Sequence, residues 1–243
     1  MSERAPAGGA ERPYRGLFLA FEGVEGSGKS TQAGLLAEDL RAAGFEVTIA
    51  REPGTTPLGE RIRAIVLQGG ELSIPGRSEL FLMLAARAAF VDQVVLPALE
   101  AGRFVISDRF ELSTLAYQGS GRGVPIEEIQ RANRLATGGL APDATLLLRL
   151  SPEEGARRQV LAAKRQDRME REGADFHRRV ARGYEELAGW VPGIVPVDGA
   201  GSIEEVRQGV WRALLARYPE TFAGAGFTSD RPGPSKGPGS FDL

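Results

Sequence analysis

Gly23-Val24-Glu25-Gly26-Ser27-Gly28-Lys29-Ser30 follows a short apolar run, Leu17–Glu22 (LFLAFE), and precedes a stretch with helical spacing. The octapeptide fits G-x-x-x-x-G-K-[ST], and strand, loop and helix come in the order that motif needs. Its glycines let the backbone fold tightly, so that successive N–H groups point inward at phosphate oxygens. A helix starting near Lys29 adds its positive dipole end. Lys29 is expected to face solvent in the empty site and to reach the β- and γ-phosphates of a nucleotide. The Ser30 hydroxyl is expected on Mg2+. A glycine-rich turn with a chance lysine is the bland alternative. Against it stands the scarcity of lysine: Lys29, Lys164 and Lys236 are the only ones in the chain.

Outward from the loop, strands and helices alternate. Ala33, Leu36, Ala37 and Leu40 give Lys29–Ala43 a helical period, and Gly44 stands where a helix-ending glycine belongs. Strands are expected at Glu46–Ala50, Arg103–Ser107, Ala144–Leu150 and Ile194–Val197. Helices are expected at Pro57–Gln68, stopped by Gly69-Gly70, at Ser78–Val95 with Pro97 near its end, and at Ile126–Thr137. Two more are expected at Glu153–Leu187, broken near Gly173, and at Ile203–Tyr218. This alternation predicts an α/β fold: a mainly parallel five-stranded sheet with helices on both faces. One domain over 16–218 is expected. The Ala/Gly/Pro-rich 1–15 and the Gly/Pro/Ser-rich 219–243 read as disordered tails. In such sheets ligands bind beyond the carboxyl ends of the strands, where Gly23 and Asp108 both fall.

Composition narrows the chemistry. The 243 residues include no cysteine and one histidine, His177, which removes thiolate metal sites, His clusters and a Ser-His-Asp triad. A formal net charge of -2 argues against a general nucleic-acid or membrane binder, since those carry a basic excess. No uninterrupted apolar run reaches the ~20 residues that span a bilayer, and residues 1–15 lack an apolar signal core. A cytoplasmic protein is the expectation.

Asp108-Arg109 after the third strand suits a carboxylate partner for Mg2+ beside an arginine that holds phosphate; a turn Asp next to a surface Arg is the plainer reading. The chain has no Asn-Lys-x-Asp stretch to read guanine, and the Arg/acid-rich 157–173 is where small P-loop kinases carry a lid. Arg87 stands out in the apolar LFLMLAARAAF, because a buried charge needs a partner or a ligand.

Four stretches together resemble bacterial thymidylate kinase: Gly23–Thr31 (GVEGSGKST), Arg51–Gly54 (REPG), Asp108–Gly123 (DRFELSTLAYQGSGRG) and Asp167–Glu170 (DRME). The resemblance runs from about Leu17 to Tyr218. It implies a P-loop NTPase fold with a short helical lid, and transfer of the γ-phosphoryl group of ATP to thymidine monophosphate in a homodimer. It assigns ATP to Gly23, Val24, Glu25, Gly26, Ser27, Gly28, Lys29, Ser30 and Thr31, and Mg2+ to Ser30 and Asp108, partly through water. The acceptor falls to Arg51, Glu52, Pro53, Arg87, Arg109, Thr114 and Tyr117. Glu25 is implied near the 3′-hydroxyl of its sugar. Met83 takes the ring-stacking position, where the family has phenylalanine; the neighbouring Phe81 is expected in the core. Lys29, Asp108, Arg109 and the lid's Arg168 form the implied catalytic set, with Arg165 and Arg171 as neighbours of the last. Another small P-loop kinase, for a deoxynucleoside or a different nucleoside monophosphate, remains open, as does an inactive nucleotide-binding module.

Overall fold

The computed structural model describes residues 16–68, 72–162 and 167–222. Five strands, β1 (Phe18–Glu22), β2 (Val47–Arg51), β3 (Phe104–Asp108), β4 (Ala144–Arg149) and β5 (Ile194–Asp198), form one sheet in the order β2-β3-β1-β4-β5. Every pairing is parallel. The α/β expectation, five strands included, is met. β1 lies central, and its side chains alternate between two cores. Leu19 and Phe21 pack with α1 (Lys29–Ala42) and α9 (Ile203–Arg217), while Phe18 and Ala20 pack with Phe90, Val95 and Phe110 on the other face. A run apolar at every position is what burial on both faces demands.

Helix ends follow local chemistry. Phe45 N–H reaches Leu40 O and Gly44 N–H reaches Arg41 O, with Gly44 at φ 88°, so a glycine closes α1 by a paired-carbonyl motif. Ser202 and Glu205 cap each other's backbone at the start of α9. α2 (Pro57–Gln68) has the expected bounds; Gly69 and Gly70 lie outside the described residues.

Three expectations need correction. The helix expected to end near Pro97 runs on, as α3 (Gly76–Phe90), a π turn (Val91–Val95) and α4 (Leu96–Glu100). The wider turn bonds Leu96 N–H to Val91 O, and Pro97, which lacks an N–H, falls in the first positions of α4. The joined helix over 76–100 is therefore long and apolar enough to cross a membrane by length and composition. Leu80, Leu84, Phe90, Val91, Val95 and Leu99 are all buried within the protein core. Phe81, expected in the core, is 65% exposed, because the buried stripe of α3 runs through Leu80, Leu84 and Arg87. The packed domain also extends past 218. α10 (Pro219–Phe222) folds back, and Phe222 is fully buried against Trp211 and Phe104. Residues 1–15 and 223–243, expected as tails, lie outside the described residues.

The remaining helices frame the strand ends. α5 (Glu111–Thr114) passes into a π segment (Leu115–Gly121), followed by α6 (Ile126–Thr137), α7 (Pro152–Leu161) and α8 (Ala174–Ala188).

Candidate active site

A cavity of about 580 Å3 opens beyond the carboxyl ends of β1, β2 and β3. One wall is the glycine loop. Gly28 takes φ 93°, the left-handed turn that lets α1 begin at Lys29. Gly26 meets Gly155 of α7 so closely that an added Cβ would lie 2.3 Å from the Gly155 carbonyl oxygen. That contact sets the start of α7 against the loop. Lys29 departs from expectation: it does not face solvent but folds back, 6% exposed, donating to Val24 O at 2.8 Å. Burial, and after it the charge of Arg109, pulls its amine down to about 8.

The second wall is the turn after β3. Parallel pairing sets Asp108 beside Phe21, and the Ser30 hydroxyl donates to the Asp108 carboxylate. Arg109 adopts φ 74°, unusual for a residue with a side chain. Its guanidinium points into the cavity, ion-paired with Glu25. It also donates to Ser113 Oγ (2.9 Å), Tyr184 Oη (3.2 Å) and Tyr117 Oη (3.4 Å). Tyr117 in turn donates to Glu25 at 3.1 Å, and burial pushes its hydroxyl far above the ordinary range.

The far end is built by β2, α2 and α3. Met83 and Arg87, one helical turn apart on α3, both line the cavity. Arg87 is 2% exposed and bonds both oxygens of Glu52 (2.8 and 3.1 Å), Asn133 Oδ1 (2.6 Å), Phe110 O (2.9 Å) and Thr114 Oγ1 (2.9 Å). Among the described residues these partners take four of its five N–H groups, leaving one hydrogen of Nη1 for a ligand. Burial pushes the Glu52 carboxyl up, to about 7, against the pull of Arg87. Arg51 and Pro53 complete this end, Arg51 paired to Glu60.

Arg168 is not brought into the cavity. The Asp167–Glu170 turn caps itself: Asp167 Oδ1 accepts Met169 N–H and Glu170 N–H, and Glu170 Oε2 accepts Asp167 N–H. Arg168 leaves that turn toward the end of α2, where its N–H meets Leu67 O at 2.9 Å and its Nε meets Val66 O at 2.6 Å. Its guanidinium closes an ion pair with the fully buried Glu79 of α3, which Arg122 and Gln118 also engage. A carboxylate without solvent needs such partners, and this need turns Arg168 away from the cavity. Arg165 lies outside the described residues, and Arg171 is exposed.

Other residues line the site that motif reasoning passed over. Arg63 of α2 donates to Pro53 O at 3.0 Å; Arg158 of α7, one turn beyond Gly155, and Gln118 of the π segment also border the cavity. The arginine-rich composition hid Arg63 and Arg158. The contact of Arg63 with Pro53 O spans ten residues, from α2 back to the loop after β2, which no local pattern announces.

The sequence profile of the thymidylate kinase family matches residues 21–210. A thymidylate kinase of Pelobacter propionicus is 44% identical over 206 residues, 82% of this chain and 94% of that protein. Two thymidylate kinases of Synechococcus strains are 46% and 47% identical over 209 and 202 residues. They cover 86% and 83% of this chain, and 98% and 96% of their own lengths.

Proposed function

The chain belongs to the thymidylate kinase family, and on that premise we propose that the cavity beyond β1 and β3 is where it transfers the γ-phosphoryl group of ATP to thymidine monophosphate. The alternatives left open by the sequence, another small kinase or an inactive binding module, find no support among these relatives. The observation that carries the assignment is a single cavity with the glycine loop at one end, Met83 and Arg87 at the other, and Arg109 between them.

The acceptor is itself a phosphate whose second ionisation lies near pH ~6, so at neutral pH its attacking oxygen is already charged. No strong base is needed. The obstacle is repulsion between two anions and the charge spread over the transferred group. Lys29 unfolds from Val24 to meet the donor's phosphates, and Arg109, released from Glu25, holds the acceptor's phosphate between the two nucleotides. Arg51 and Arg63 lend positive potential at the acceptor end, and Arg158 at the lid end. Met83 packs on the thymine ring, and the remaining Nη1 hydrogen of Arg87 donates to its carbonyl edge. Tyr117 and Glu25 border the sugar.

Ser30 and Asp108 offer oxygen ligands in mutual contact, the donor type a hard cation takes. Among the described residues no three His, Cys, Asp or Glu side chains group to cage a metal. That donor set suits Mg2+, which completes its shell with phosphate oxygens and water. Held by Ser30 and Asp108, such a cation would supply charge neutralisation for the transferring phosphates.

We read residues 16–222 as one kinase domain with its lid over 157–173, acting in the cytoplasm without nucleic-acid or membrane partners. A homodimer is proposed through α2, α3 and α6, which pack side by side and leave Leu58, Ile65, Phe81 and Leu135 exposed. Steady-state ADP release across thymidine, deoxyuridine, deoxycytidine and adenosine monophosphates tests the assignment. A kcat/KM highest for thymidine monophosphate is expected; equal values for all four would overturn it.

A further inference from the structure

We propose that Glu22, the last residue of β1, positions Arg109 for the acceptor's phosphate. This deepens the reading above and rests on its assignment of Arg109. Glu22 is fully buried and does not line the cavity, so it is not a catalytic residue. Its Oε1 accepts Phe110 N–H (2.8 Å) and Ser113 N–H (3.0 Å). Its Oε2 accepts the Ser113 hydroxyl (2.5 Å) and the Tyr184 hydroxyl (3.1 Å).

Those four donors lie on one side of Arg109, opposite its contacts with Glu25 and Tyr117 on Nη2. Ser113 Oγ and Tyr184 Oη accept from its Nη1, together with the more distant Gly23 O (3.4 Å). Phe110 N–H belongs to the next peptide, so Glu22 also pins the left-handed turn in which Arg109 is held. The Ser113 hydroxyl gives its proton to Oε2, and the Ser113 and Tyr184 oxygens also bond each other at 2.9 Å, so the carboxylate gathers both oxygens as acceptors for the guanidinium. Burial raises the affinity of Glu22 for a proton, and the charge of Arg109 with the three hydrogen bonds from Ser113 and Phe110 opposes this. A buried acid of this kind is costly to the fold unless satisfied, and here every partner touches or adjoins one arginine. Tyr184 comes from α8, so the cluster also ties the helix beyond the lid to the turn after β3.

The test separates phosphate positioning from general support of the fold. Binding of thymidine monophosphate and of thymidine, which lacks the phosphate, is measured by calorimetry on the full chain without ATP. Glu22→Gln is expected to weaken the monophosphate about tenfold or more, with thymidine changed less than about twofold. Tyr184→Phe removes one hydroxyl of the cluster and should show a smaller loss of the same selectivity; it decides alone if Glu22→Gln does not fold. Equal losses for both ligands, or no loss for either, overturn the proposal. Arg109→Ala is the control. If it does not itself discriminate the two ligands, the assignment of Arg109 falls and takes this inference with it. If it does and the Glu22 variant does not, only the inference falls.

Discussion

Asp108-Arg109 and Asp167-Arg168 are the same dipeptide with opposite fates. The first closes β3, and its arginine enters the cavity beside Glu25, Ser113 and Tyr117. The second opens the turn before α8, and its arginine turns from the cavity to α2 and to the buried Glu79. Both guanidiniums are largely buried, and both are ion-paired. What differs is the carboxylate: Glu25 lines the cavity, whereas Glu79 is sealed inside α3. An ion pair at a cavity wall can be exchanged for a phosphate. One that satisfies a sealed acid is costlier to break, because that acid has no solvent to take the lost partner's place. Arg109 thus faces the cavity, whereas Arg168 bonds the end of α2 and Glu79 of α3.

The comparison predicts a split between kinetics and stability. Arg109→Ala should lower kcat/KM for thymidine monophosphate by about 10³-fold, with the thermal midpoint little moved, because the cation acts on transferring phosphates. Arg168→Ala should do the reverse. Glu79 keeps Arg122 and Gln118, so a loss of about 1–2 kcal/mol in chemical denaturation is expected, with kcat reduced less than about tenfold. A thousandfold fall in kcat at unchanged stability would instead return Arg168 to the catalytic set.

The glycine-loop side of the contrast can be sharpened by pH. The Lys29 amine is drawn down to about 8 in the ligand-free protein. Bound phosphates favour its charged form, so ATP binding near pH 8 should take up a proton. ATP affinity should fall as pH rises through that value, where the free protein loses the lysine's charge. Calorimetric heats in buffers of different ionisation enthalpy check this, and buffer-independent heats would count against it. The smallest effect is expected from Met83→Phe, which restores a flat stacking face: thymidine monophosphate should bind tighter by roughly 0.5–1.5 kcal/mol.

The sequence was most legible where function is written into backbone. LFLAFE, the glycine octapeptide and Gly44 predict a strand, a loop leading into a helix and a helix end from neighbours alone, and the structure has each. The parallel sheet followed from alternation. Legibility failed where a distant partner decides. Glu79 lies in an unremarkable Ser-Glu-Leu-Phe, and nothing local says that it will be buried facing a turn 89 residues away. Lys29 was expected outward because its loop partner, Val24 O, presents itself only once the loop closes. Pro97 looked like a helix stop because a π turn is set by packing, not by a residue pattern. Phe222, in a stretch rich in glycine and alanine, found a core between Trp211 and Phe104 that belongs to other parts of the chain. Glu22 looked like the end of a strand, and only the fold reveals that it gathers the neighbours of Arg109.

Direct transfer in one cavity, from ATP to thymidine monophosphate, makes ADP formation depend on the acceptor. Phosphorus NMR of the full chain with ATP, Mg2+ and thymidine monophosphate reads it directly. ADP and thymidine diphosphate should appear one for one, with no ADP formed when the acceptor is left out. ADP and inorganic phosphate accumulating at the same rate with or without the acceptor would contradict it.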